Sequence, residues 1–282
     1  MTKLTARVLA ARAFGADRFL PFEARGRLGW IRRDLVSQLE RWPEVFAIDE
    51  RSVRLRPSLA TEADRTAAFA VVTRALADDG AIKGWRSETD AVRIRPQDAP
   101  LFHVERAAMR FFGFTCEAAH LNGFVRNASE LRVWIARRSA TKSIDPGLLD
   151  TLVGGGIASG QDAWQTLLRE CGEEAGIGPT LARQATAAGV LEVCHEVPEG
   201  AHCENLYAYD LELSADFRPR NVDGEVAEFL LLDPAEIAGR IASGEFSVEA
   251  GLVTLDFLLR HEAISSSDRD LHTALDRCRV RP

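Results

Sequence analysis

Three glutamates on one helix, just downstream of a glycine triplet, constrain this chain more than any other feature. The stretch runs Gly154-Gly155-Gly156-Ile157-Ala158-Ser159-Gly160-Gln161 and continues into Arg169-Glu170-Cys171-Gly172-Glu173-Glu174-Ala175-Gly176-Ile177. Ser159 and Asp162 have the S-x-x-D spacing of a helix N-terminus, and Gly176 is placed to end the helix. Glu170, Glu173 and Glu174 then fall at i, i+3 and i+4, so their carboxylates share one face, about 5–6 Å apart at Cβ. Like charges so spaced each cost about 0.2–0.5 kcal/mol, and acids in the last turn oppose the helix dipole. A helix that breaks local rules this way is a candidate site, because a divalent cation turns the repulsion into ligation. Oxygen donors alone suit Mg²⁺ or Mn²⁺ rather than zinc. The competing reading is a solvated acidic face.

The full spacing favours the site. Gly155, five residues, Gln161, seven residues, then Arg169-Glu170-Cys171-x-Glu173-Glu174-x-Gly176-Ile177 resembles the Nudix box, G-x5-E-x7-R-E-U-x-E-E-x-G-U, over residues 155–177. One position departs: Gln161 stands where the motif has its first Glu. An amide there carries no charge and cannot act as a base, yet the three clustered glutamates remain.

At 282 residues the chain is long for one compact domain and comfortable for two. A net charge of −7 argues against a general nucleic-acid or anionic-membrane binder. No apolar run approaches the ~20 residues that cross a bilayer. Five cysteines without C-x-x-C pairs indicate reduced thiols and a cytoplasmic setting, and a Cys194–Cys203 bridge is not expected. Arg7, Arg12 and Arg18 give the start a faint transit-peptide character. The preferred reading is a first helix of the N-terminal domain, with Leu4, Val8 and Leu9 on one face.

Residues 1–115 read as a smaller α+β domain. Ile31, Leu35 and Leu39 have helical spacing; Val45–Ile48 and Val53–Leu55 look like strands joined by a polar turn. Thr61 is placed to cap a helix with Ala68, Val71, Val72 and Ala75 inward, and Val92 and Ile94 alternate as in a strand. Trp30, Trp42 and Trp85 are candidates for ring stacking, although single tryptophans more often serve core or rim. Residues 116–282 read as the second domain. Leu121–Val125 pairs with Leu131–Ile135 around an Asn127–Glu130 turn, Leu206–Leu213 and Val226–Leu232 are strands, and Pro234–Ile241 and Glu249–Arg260 are helices. Mixed strands with helices on both sides imply an α/β sandwich. Arg137, Arg138 and Lys142, between a strand and the glycine loop, are read as a diphosphate grip. His195 and His202 flank a loop with Glu196, Glu199 and Cys203; a transition-metal site there is weighed against a variable surface loop, and the loop is preferred.

The resemblance extends beyond the box. Asn122-Gly123, Trp134-Ile135-Ala136-Arg137-Arg138-Ser139-x-Thr141-Lys142, Pro146-Gly147-x-Leu149-Asp150, Tyr209-Asp210-Leu211, Asp223-Gly224-Glu225-Val226 and Asp256-Phe257-x-x-Arg260-His261 look like the Nudix subfamily associated with thiamine pyrophosphokinases. That resemblance implies a Nudix α/β/α sandwich with a mixed sheet, preceded by the N-terminal domain as a specificity element. It implies hydrolysis of thiamine-diphosphate-like compounds, notably oxidised forms, to monophosphate. It also implies Mg²⁺, with Mn²⁺ able to substitute, held by Glu170, Glu173, Glu174 and the Gly154 carbonyl. One of these glutamates, or Glu225, would activate water or join the metal shell, with Arg169 clamping the carboxylates. The partner expected is a small diphosphate, with no nucleic acid and no membrane; a homodimer is left open. Two alternatives stand: hydrolysis of a nucleoside diphosphate derivative such as 8-oxo-dGDP or ADP-ribose, and an inactive ligand-sensing module.

Overall fold

The computed structural model describes the chain apart from residues 128, 129, 143, 266, 281 and 282. Helix α1 (Lys3–Ala10) leads into hairpin β1 (Phe19–Glu23) and β2 (Arg27–Arg32), then α2 (Val36–Leu39), β3 (Phe46–Ile48), β4 (Val53–Leu55) and the long α3 (Glu62–Asp78). The pair β5 (Thr89–Val92) and β6 (Phe102–Glu105) follows, then α4 (Met109–Phe112). Strands β1 to β4 form one sheet in the order β2-β1-β4-β3. Phe22, Phe46, Phe69, Phe102, Phe112 and Phe114 pack against one another between this sheet and α3.

Several local signals act as read. Asp49 Oδ1 accepts the amides of Arg51 and Ser52 and closes the β3–β4 turn. Thr61 caps α3 in a reciprocal box with Asp64. The inward face of α3 differs from expectation: Phe69, Val72, Thr73 and Leu76 are buried, while Val71 is 64% exposed. Ile31 lies in β2, not a helix, because its neighbours alternate across the β1–β2 ladder. Trp30, Trp42 and Trp85 each sit under an arginine, from Arg27, Arg41 and Arg74.

The C-terminal part holds β7 (Thr115–Asn127), β8 (Glu130–Arg138), β9 (Leu149–Asp150), β10 (Val153–Gly156), α5 (Ala163–Ala175), α6 (Pro179–Ala182), β11 (Thr186–Val197), β12 (Gly200–Glu212), β13 (Val226–Leu232), α7 (Pro234–Ser243), α8 (Val248–Arg260) and α9 (Arg269–Asp276). The sheet runs β11-β12-β7-β8-β13, with β10 on β7 and β9 on β8. Among the described residues β12 pairs parallel to β7, and the other ladders of this sheet are antiparallel. Asn127 pairs with Glu130, and the inner residues of that turn, 128 and 129, lie outside the described residues.

Strand alternation splits the apolar residues between two layers. Ala118, Phe124, Val133, Ile135, Leu206 and Ala208 face α7, α8 and α9. Ala119, Leu121, Val125, Trp134, Tyr209 and Leu211 face α5 and α6. The result is the α/β/α sandwich with a mixed sheet. Helix α1 was expected with the N-terminal domain, but Val8 and Ala11 are buried in the α7–α9 layer, and Leu9 is exposed. Thr2 and Thr5 both donate to Asp268, fixing α1 near the start of α9. Cys194 and Cys203 are likewise corrected: they are opposite partners on β11 and β12, Cα–Cα 4.0 Å, joined by a disulfide. Cys116, Cys171 and Cys278 are free. No helix among the described residues is long and apolar enough to cross a membrane.

Candidate active site

Helix α5 begins at Asp162, not Ser159. Asp162 accepts from the Gln165 amide, and Gln165 returns the bond in a capping box. Ser159 is used elsewhere: its hydroxyl meets His103 Nδ1 at 2.9 Å, joining the glycine loop to β6. At the other end Gly176 adopts φ 64°, a left-handed cap that any side chain would strain. Gln161 is exposed and accepts from the Thr166 hydroxyl, which places it at the helix start.

The three glutamates occupy different environments. Glu174 is buried, and its Oε2 accepts the Gly154 amide at 2.8 Å. Burial pushes its carboxyl up to about 8; the Gly154 bond and Lys142 pull down, while Asp150 and Glu170 push up. Glu170 is mostly buried as well and is raised by burial against the pull of Arg169. Glu173 is half-buried at the rim, where Arg169 bridges it at 2.5 Å and Glu170 at 2.7 Å. Arg169 is therefore a carboxylate clamp.

Glycine is required beside Glu170. A Cβ on Gly155 would stand 2.3 Å from Glu170 Oε1 and 2.4 Å from its Cγ. Gly155→Ala is expected to displace that carboxylate, lowering kcat by about 10- to 100-fold with a far-UV circular dichroism spectrum like wild type. Undiminished turnover would show that Glu170 does not need this position.

The basic residues separate. Arg138, Lys142, Asp150, Thr151, Glu174 and Glu225 line one pocket beside the glutamates. Arg137 is not among them: strand alternation turns it to the opposite face, where it holds Glu228 at 2.5 Å and the Gly147 carbonyl. Arg138 does enter the pocket, but its guanidinium is committed to Asp150 at 2.6 Å and twice to the Ile144 carbonyl. It shapes the loop rather than standing ready for phosphate. Lys142 is the cation over the carboxylates, paired with Glu225 and 3.8 Å from Glu174.

Asp150 and Thr151 received no role from the sequence. Asp150 is buried, anchors Arg138 and caps the Thr151 amide, and Thr151 meets His120 Nδ1 at 3.0 Å. The signal was present in Pro146-Gly147-x-Leu149-Asp150, whose final acid follows an apolar residue in a short strand. The N-terminal part also reaches the site. Thr89 accepts the Ser159 amide, and Arg106, held by Asp90 and Glu88, packs over Gly156.

Buried carboxylates around one lysine form a hard oxygen donor set with excess negative charge. Such a set fits a hard divalent cation. Lys142, itself lowered by burial, gives only partial compensation.

Residues 120–251 match the NUDIX domain family model, and residues 3–116 match a domain of unknown function, DUF4743. Nudix hydrolase 20, chloroplastic, of Arabidopsis thaliana is 35% identical over 271 residues, spanning 91% of this chain and 72% of that protein. Nudix hydrolase 24, chloroplastic, of the same plant is 36% identical over 253 residues, spanning 87% and 68%. A solved structure from Deinococcus radiodurans aligns with 60% of this chain and 98% of its own, at 24% identity and a TM-score of 0.45. With the NUDIX family model over residues 120–251 and two relatives at 35% and 36% identity covered across most of their length, the chain belongs to the Nudix hydrolases, which cleave pyrophosphate bonds.

Proposed function

We propose that this chain hydrolyses the diphosphate of thiamine-diphosphate-like compounds, oxidised or damaged forms foremost, to a monophosphate and phosphate. The supporting observation is the pocket that gathers Glu174, Glu225, Lys142, Arg138 and Asp150 at the end of the glycine loop. Glu170, Glu173 and Glu174, with the Gly154 carbonyl and Glu225, would hold Mg²⁺, or Mn²⁺ in its place. Such an ion neutralises the diphosphate charge that otherwise repels an incoming oxygen.

The chain's own residues supply the remainder. Lys142 places a positive charge where phosphate oxygens would enter. Glu174, or Glu225 at the pocket edge, takes the proton of the attacking water. Arg169 holds Glu170 and Glu173 in one orientation, and Arg138 with Asp150 fixes the loop bearing Lys142. For the organic group, support comes from the subfamily residues and from the contacts of Arg106, His103 and Thr89 with the glycine loop. They make the N-terminal domain, residues 1–115, our proposed specificity element.

The test is phosphate release and product mass with Mg²⁺ on thiamine and oxythiamine diphosphates, 8-oxo-dGDP, 8-oxo-dGTP and ADP-ribose. Preference for the thiamine analogues is the expected result. Preference for a nucleotide would keep the chemistry and replace the substrate, and silence with all five would overturn the proposal. Lys142→Met should raise KM for the preferred diphosphate by about tenfold, worth about 1.4 kcal/mol. An unchanged KM would remove Lys142 from the phosphate site.

A further inference from the structure

A second group of ligand-type side chains lies apart from the glutamate helix. His195 of β11 and His202 of β12 are opposite partners in their hairpin, not flanks of a loop. Glu249, in the first turn of α8, reaches between them, its Oε1 3.2 Å from Nε2 of each ring. Glu204, two residues beyond His202 and on the same face, places Oε2 3.4 Å from the His202 Nε2. The donor atoms of His195, His202 and Glu249 all lie within 4.8 Å of one another. These side chains are 15%, 8% and 13% exposed, and Glu204 is 14% exposed.

Hydrogen bonding accounts poorly for this arrangement. Charge-assisted N–H···O bonds close to about 2.7–2.9 Å, whereas the contacts here are 3.2 to 3.4 Å. One proton on His202 Nε2 faces two carboxylates, and two imidazoles aim at a single carboxylate oxygen. A tetrahedral ion with nitrogen and oxygen ligands at 2.0–2.1 Å has donor-to-donor edges of about 3.3–3.4 Å. The two Glu249 contacts, 3.2 Å each, lie close to those edges, and the three donors stay within 4.8 Å of one another. The frame is also braced: Cys194–Cys203 bonds the adjacent rung, and Arg32 holds the Val197 and Pro198 carbonyls at the hairpin end.

We propose that His195, His202 and Glu249 form a second divalent-metal site, for Zn²⁺, with Glu204 held against His202 at its edge. Mixed imidazole and carboxylate donors suit zinc, unlike the all-oxygen set on α5. The ion ties the β11–β12 hairpin to the start of α8. That start is itself fixed to β9, since Leu149 accepts the Ser247 amide, so the brace reaches the strand bearing Asp150.

The test uses the full chain, stripped with chelator, saturated with Mg²⁺ and titrated with Co²⁺ in the visible range. One equivalent should bind with the intense d–d band of a low-coordinate ion, Zn²⁺ should displace it, and Zn²⁺ should raise Tm above Mg²⁺ alone. His195→Gln should weaken Co²⁺ binding about tenfold or more and remove the band, whereas Glu174→Gln should retain it. A wild-type chain that takes up neither Co²⁺ nor Zn²⁺ would leave the cluster as proton-sharing ion pairs and overturn the proposal. So would a band that survives His195→Gln or disappears in Glu174→Gln. If His195→Gln does not fold, the wild-type titration and Zn²⁺ displacement, set against Glu174→Gln, decide.

Discussion

Replacing Glu174 by Gln should lower kcat by about 10³-fold or more while making the metal-free protein more heat-stable at pH 8. Both effects come from one buried carboxyl. Its pKa stands at about 8 in the fold against an ordinary 4.5. A carboxyl raised by folding contributes stability while protonated, fully below about pH 4.5, and that contribution is lost as pH rises through about 8. At 1.36 kcal/mol per pH unit across that window, the loss is about 5 kcal/mol. Glutamine keeps the shape and still accepts the Gly154 amide, but carries no charge to desolvate. Thermal scans with chelator should show the wild-type Tm falling from pH 5 to pH 8 and the variant nearly flat. With Mg²⁺ restored the order should reverse, because the wild type has one more anionic ligand for the cation and gains more from binding it. Wild-type turnover by the variant would remove Glu174 from the reaction. A variant less stable at pH 8 without metal would show that the carboxylate is not strained.

The glutamate helix was legible because its evidence is local. Three acids at i, i+3 and i+4 share a face wherever the helix lies, and Gly176 ends it by its own φ. The strands β7, β8, β12 and β13 were legible for a similar reason, since alternation survives any tertiary context. What failed depended on partners far along the chain. Helix α1 resembled an element of its nearest neighbours, yet its contacts include Asp268. The face of α3 was ambiguous because alanines dominate its length, and the choice among Val71, Val72 and Phe69 belongs to the sheet it covers. Arg137 and Arg138 were grouped by charge, although the alternation that identified β8 already separates them. His195 and His202 were assigned to a loop because β11 has no strong apolar pattern of its own; it is defined by its ladder with β12.

One part of the wider family resemblance, Asn122, Asp210, Asp256 and Arg260, is expected to act mainly on stability. Asp210 is buried on the α8 side of the sheet, opposite the glutamate helix. It accepts from Asn122 at 3.0 Å, from Arg260 at 2.6 and 3.1 Å, and from His261 at 3.1 Å. Arg260 also meets Asp256 at 2.6 Å, and Asp256 is in turn held by Arg279. One carboxylate thus joins β7, β12 and α8. Removing it takes the acceptor from the buried Asn122 amide and from both terminal nitrogens of the part-buried Arg260, and breaking a buried pair from one side costs about 3–5 kcal/mol. Asp210→Ala should therefore lower Tm by about 10 °C, with kcat and KM near wild type where the variant stays folded. Pairing it with Arg260→Leu should recover part of the loss, since the stranded charge leaves with its partner. A raised KM without a change in Tm would make Asp210 a ligand contact. With the expected result, Asn122, Asp210, Asp256 and Arg260 hold α8 against the sheet, and substrate choice rests with the pocket and the N-terminal residues over the glycine loop.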